Sequence, residues 1–158
     1  MGWDFSKDAG RRPDLGAIVR RYAEKFPEYR KAGRGLILYG DTGTGKSTFA
    51  AMIANAVLDL GYRAFMTNFE QIEKNLWDAE KKAVYMRELM SWDLLVLDDL
   101  GAERKNEYMQ GIVYNVIDGR IRQGLPVVVT TIAVTLLKVI GIAAVILLVK
   151  WLANKLKK

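Results

Sequence analysis

The 158-residue sequence contains no cysteine and no histidine. Without cysteine there is no disulfide framework, no thiolate nucleophile and no cysteine-ligated zinc site. Without histidine the commonest general base and metal ligand is missing as well. Chemistry in this chain falls to carboxylates, lysine, hydroxyls and backbone amides. Only three prolines interrupt the sequence, and the opening Met1-Gly2-Trp3-Asp4-Phe5 has no apolar run behind a basic start, so no secretory signal is read and a cytoplasmic protein is expected. What is present is the composition of a globular protein, 51% hydrophobic and 10% aromatic, enough for one buried core.

The net charge of +6 is unevenly spread. All 18 acidic side chains fall within residues 1–130, with 19 of the 24 basic ones. Residues 131–158 carry five lysines and no acid, so the positive charge belongs mostly to the tail.

Three regions follow: a basic amphipathic segment (1–34), a core (35–131) and an apolar, lysine-ended helix (132–158). In the first, Leu15, Ile18, Val19, Tyr22 and Phe26 recur at helical spacing after Pro13, which predicts one helix over 14–31. In the core, Leu36–Tyr39, Arg63–Asn68, Leu94–Leu97 and Pro126–Thr131 read as short buried strands. Helices are expected over 46–60, 69–90 and 105–123, with Ile72, Leu76, Tyr85 and Leu89 of the middle one facing inward. Alternating strands and helices predict an α/β fold, a parallel sheet with helices on both faces.

Gly40-Asp41-Thr42-Gly43-Thr44-Gly45-Lys46-Ser47 matches the Walker A pattern G-x-x-x-x-G-K-[ST] at every position, between an expected strand and an expected helix. Glycines at 40, 43 and 45 free the backbone to aim N–H groups at phosphates, and the helix adds its positive end. The expected nucleotide-binding set is Gly40 to Thr48, with ATP and Mg2+ as cofactors. Lys46 is expected at the β- and γ-phosphates and the Ser47 hydroxyl on magnesium. Leu94–Leu97 then runs into Asp98-Asp99, placing carboxylates at the end of a buried strand, where open α/β sheets collect ligands. Asp98 is the second magnesium candidate, through water, and Asp99 the group to orient or deprotonate an attacking water.

These segments resemble the DnaC-type helicase loaders and IstB-type transposition ATPases of the AAA+ class. The residues that carry the resemblance are Leu36–Ser47, Leu94–Arg104 with its Asp98-Asp99-Leu100-Gly101, and Val127–Thr131; the likeness extends over about residues 3–131. It implies a P-loop NTPase fold of the AAA+/RecA-like kind, truncated here after the fourth strand, and an ATP-driven loader of phage or mobile-element type. Its partners would be a replicative helicase and single-stranded DNA, and homo-oligomers belong to the same expectation. In that family an asparagine that senses the γ-phosphate follows the fourth strand; here the position is Ile132, which implies impaired hydrolysis. No arginine finger is assigned to Arg120 or Arg122, which precede the fourth strand.

The tail admits other readings. Residues 132–149 hold one charge, Lys138, and Trp151 and several lysines follow. That run is borderline for spanning, while its flank suits an anionic membrane interface. The alternatives are a helix covering the sheet edge and a recombined chain end. A membrane-associated interaction protein with a relic or regulatory P-loop module is thus the rival function, and a small-molecule kinase a third.

Overall fold

The computed structural model describes residues 13–76, 79–100 and 107–132. Its elements are α1 (Pro13–Glu24), α2 (Phe26–Ala32), β1 (Leu36–Tyr39), α3 (Lys46–Asp59), β2 (Ala64–Asn68), α4 (Phe69–Leu76), α5 (Ala79–Ser91), β3 (Leu94–Leu100), α6 (Glu107–Arg122) and β4 (Val127–Thr131). The four strands form one parallel sheet in the order β1-β4-β3-β2.

Strand periodicity divides the core. Leu94 and Val96 of β3 and Val128 of β4 enter a cluster with Val19, Tyr22 and Phe26 of α1 and α2 and Phe49, Ile53 and Val57 of α3. Leu95, Leu97, Val127 and Val129 enter the opposite cluster, with Ile72, Leu89, Val113 and Val116 from α4, α5 and α6. Successive residues of β3 and β4 thus feed two cores, which is why these strands read as unbroken apolar runs. Each such side chain contributes about 1.5–3 kcal/mol by leaving water. β1 joins at close range: a Cβ on Gly35 would lie 2.3 Å from the Val127 carbonyl oxygen, so only glycine fits there.

The expected α/β sheet with helices on both faces is therefore present, and the expected elements are found with three refinements. The single helix over 14–31 is two, because Pro27 has no N–H with which to continue α1; the chain restarts as α2 from Lys25 and ends on Gly33 at φ 63°. Ile18, expected on the buried face, is 55% exposed. Leu15, Val19, Tyr22 and Phe26 already form a stripe spaced four, three and four residues apart, and Ile18 lies about 100° around the helix from Val19. The long helix over 69–90 is described as α4 and α5. The apolar helix expected over 132–158 lies outside the described residues except for Ile132, which follows β4 in non-helical backbone.

Arg120 in α6 is fully buried. Its guanidinium donates to the carbonyls of Leu89 (2.6 Å), Trp92 (2.8 Å) and Pro126 (3.0 Å), joining the end of α5, the approach to β3 and the start of β4. The carbonyls at the end of α5 are the negative end of a helix, a suitable partner for a cation. Burial pushes the Arg120 guanidinium down to about 10, with Arg30 adding to the effect and Asp93 opposing it. This arginine is a structural clamp.

Replacing Arg120 with methionine removes the guanidinium donors from the Leu89, Trp92 and Pro126 carbonyls, of which Pro126 keeps the Leu95 N–H, and is expected to lower unfolding free energy by about 3 kcal/mol. Urea denaturation measures the loss, and Arg120→Lys should recover only part of it, since one ammonium cannot reproduce the planar fork. An unchanged urea midpoint in Arg120→Met would contradict the clamp.

Candidate phosphate-binding site

The parallel register brings three strand ends to one edge of the sheet. Tyr39, the last residue of β1, pairs with Thr131, the last residue of β4. On the other side of β4, Leu97 pairs with Val129 and Leu100 with Thr131. Three steps along β3 match two along β4, so β3 carries one extra residue, a bulge at Asp98-Asp99. The Walker A loop after β1 and the two aspartates of β3 therefore flank the end of β4.

The loop backbone explains its glycines. Gly40 has φ 150°, Gly43 φ 78° and Gly45 φ 83°, all positive. Gly45 is the residue before α3 and supplies no side-chain cap, and the first turn of α3 contains no acid. The helix N-terminus thus keeps its positive character for an anion.

Lys46 is 8% exposed, and its ammonium folds over the loop to donate to the carbonyls of Gly40 (3.0 Å) and Asp41 (2.8 Å). The Thr44 hydroxyl also donates to the Asp41 carbonyl, at 2.8 Å. Asp41, Thr42 and Ser47 are exposed, and Thr48 is half-buried. The lysine charge is thereby held inside the curve of the loop, with the Ser47 hydroxyl open to solvent.

At the neighbouring strand end, Asp98 is half-buried and Asp99 is exposed. The Thr130 hydroxyl donates to the Asp98 carboxylate (Oγ1 to Oδ1, 2.6 Å) and accepts the Asp99 N–H at 2.7 Å. Asp99 is the one non-glycine residue with positive φ among those described, at 55°. Thr130 and Thr131 are fully buried, and the Thr131 hydroxyl donates to the Leu100 carbonyl. Ile132 follows with an aliphatic side chain only.

Every loop residue and both aspartates are legible in the sequence; the role of Thr130 is not. The available signal was a hydroxyl residue extending the apolar run Val127–Val129 of a buried strand, where each polar atom must find a partner. Arg120, to which no finger role is assigned from sequence, is occupied by the carbonyls of Leu89, Trp92 and Pro126.

The model of the IstB-like ATP-binding proteins matches residues 26–138, from α2 through the end of β4 and beyond. The chain belongs to this IstB-like family. Among curated relatives, the replicative helicase loader DnaI of Bacillus subtilis strain 168 is 30% identical over 120 residues, 72% of this chain and 39% of DnaI. The uncharacterised protein YdaV of Escherichia coli strain K12 is 32% identical over 85 residues, 51% of this chain and 34% of YdaV. The chain thus spans little more than a third of the length of these relatives. A crystal structure of the DnaC helicase loader superposes with a TM-score of 0.69 at 22% identity, covering 87% of this chain and 81% of that one, a likeness of fold.

The IstB-like loop yields a test of its backbone alone. Nothing lies within 4 Å of a Cβ placed on Gly43, and at Gly45 the nearest atoms, from Phe49, lie at ordinary contact distance. Gly43→Ala and Gly45→Ala should each cost about 1–2 kcal/mol from the left-handed backbone, with no steric contribution. Chemical denaturation reads it; unfolding curves superimposable on that of the unaltered chain would show that the loop does not hold these dihedrals.

Proposed function

We propose that this chain is the Mg-ATP-binding module of a DnaC-type helicase loader. The observation that carries the reading is the convergence at one sheet edge of the Walker A loop, with Lys46 curled within it, and of Asp98 beside β4. The residues fit the ligand. A loop with three positive-φ glycines at an acid-free helix N-terminus suits a phosphate, and the Asp98 carboxylate lies at the end of β3, on the far side of β4 from the strand that carries the loop.

In this reading residues Gly40 to Thr48 hold the phosphates. The Lys46 ammonium exchanges the Gly40 and Asp41 carbonyls for β- and γ-phosphate oxygens, a stronger, charge-assisted pairing. Ser47, and Asp98 through water, would hold magnesium, which would neutralise phosphate charge. Asp99, exposed at the bulge, orients or deprotonates water. The Ile132 side chain has no polar group to bind a γ-phosphate, so binding outlasts efficient turnover: a switch with slow hydrolysis.

The loader assignment is supported by the likeness to the replicative helicase loader DnaI, and the partners this reading assigns are a replicative helicase and single-stranded DNA. Homo-oligomer formation belongs to the same reading, as does a phage or mobile-element origin. No helix among the described residues is long and apolar enough to cross a membrane. The anionic membrane contact expected of 132–158 falls outside the described residues beyond Ile132.

Saturating Mg-ATP at 100 times its Kd should stabilise the chain by about 2.7 kcal/mol, measured by denaturation with and without nucleotide. Lys46→Ala should abolish that gain. Ile132→Asn should raise turnover while leaving ATP affinity close to that of the unaltered chain. Absence of any nucleotide-dependent stabilisation would end the proposal, and rapid hydrolysis by the unaltered chain would remove the role given to Ile132.

A further inference from the structure

We infer that Thr130 is a positioning residue for the magnesium-binding carboxylate, fixing the rotamer of Asp98 and the left-handed turn at Asp99 through one hydroxyl. This rests on the nucleotide-binding reading above and extends it to a residue in another strand.

The hydrogen-bond directions follow from chemistry. A backbone N–H can only donate, so the Thr130 oxygen accepts from Asp99 at 2.7 Å. Its own proton is then free for the Asp98 carboxylate, 2.6 Å away, a charge-assisted bond at the short end of its range. Both contacts use the same Oγ1 atom, and Thr130 is fully buried, so water does not substitute for either partner.

The consequence is a division of labour within Asp98. Oδ1 is tied to Thr130, which leaves Oδ2 for an external ligand. The extra residue of β3 sits where this hydroxyl reaches across, and Asp99 takes φ 55°, a conformation costly for an L-residue, while accepting Thr130 as partner for its N–H. Thr130 therefore stabilises the bulge and aims the carboxylate together. A β-branched residue suits the position twice over: it is at home in a strand, and its χ1 is stiff, so the hydroxyl does not swing away. Partners of this kind set how well a first ligand serves a metal.

The test compares ATP affinity with Mg2+ and with EDTA in the full chain and in Thr130→Val, Thr130→Ser and Thr130→Cys, with thermal unfolding of each. Valine keeps the shape and deletes the hydroxyl. It is expected to leave metal-free ATP affinity intact and to reduce the Mg2+-dependent gain about 10- to 100-fold. Serine should restore the gain. Cysteine, with its weak thiol donor, should fall between, and these two variants carry the comparison if valine does not fold. A Mg2+-dependent gain unchanged in Thr130→Val, or in Thr130→Cys when valine does not fold, overturns the inference alone. Equal losses with and without metal also overturn it, by showing a purely structural role. An unaltered chain that binds no ATP overturns this inference and the nucleotide-binding reading together.

Discussion

The pairing of β4 with β1 on one side and β3 on the other is the constraint on which the site depends. The Walker A loop and the acidic strand end are separated by the fifty residues 48–97, and neither is a site alone. β4 fixes both against the same two-residue step, Thr130-Thr131, because Tyr39 and Leu100 share Thr131 as their register partner. The pairing is held by burial from both faces: all five residues of β4 are buried, and the valines alternate between the two apolar clusters. A one-residue slip would move each valine to the wrong core and separate the Thr130 hydroxyl from Asp98.

Polar groups in this region are economical. Thr130 satisfies a carboxylate and an amide with one oxygen, and Thr131 satisfies the Leu100 carbonyl beyond the bulge. At the far end of the same strand, Arg120 gathers three carbonyls with one guanidinium, including that of Pro126 immediately before β4. A buried cation is costly, and the three short contacts offset that cost at the point where two helices and two strands must meet. β4 is therefore pinned at both ends by side chains whose hydrogen bonds cross between elements, while its middle is held by hydrocarbon.

The loop and the acidic strand end face different physical problems. At the loop, Lys46 is pulled inward by the carbonyls of Gly40 and Asp41, so the cation stays within reach of the anion site instead of extending into solvent. At the strand end, Asp98 is held by an uncharged donor that leaves its charge in place. Attraction of phosphate thus falls to the loop and the helix N-terminus. The strand end supplies a negative oriented group suited to a cation. The membership of the chain in the IstB-like family of ATP-binding proteins agrees with that arrangement.

The sequence by itself determined the local features. The loop was legible because its glycines, lysine and serine act within eight consecutive residues, and the buried strands because residues facing two cores are apolar without interruption. The break at Pro27 was also written locally, in a missing N–H, although helical spacing on either side concealed it. Only the tertiary structure decided what Thr130, Arg120 and Ile18 do. Thr130 acts on residues 31 and 32 positions away. Arg120 reaches back 31 positions to Leu89, and Ile18 is exposed because neighbouring positions on α1 already fill the available face. A hydroxyl, a guanidinium or an isoleucine has the same chemistry wherever it lies in the chain; register and packing choose its partner, and these are set by contacts between distant segments that no local pattern contains.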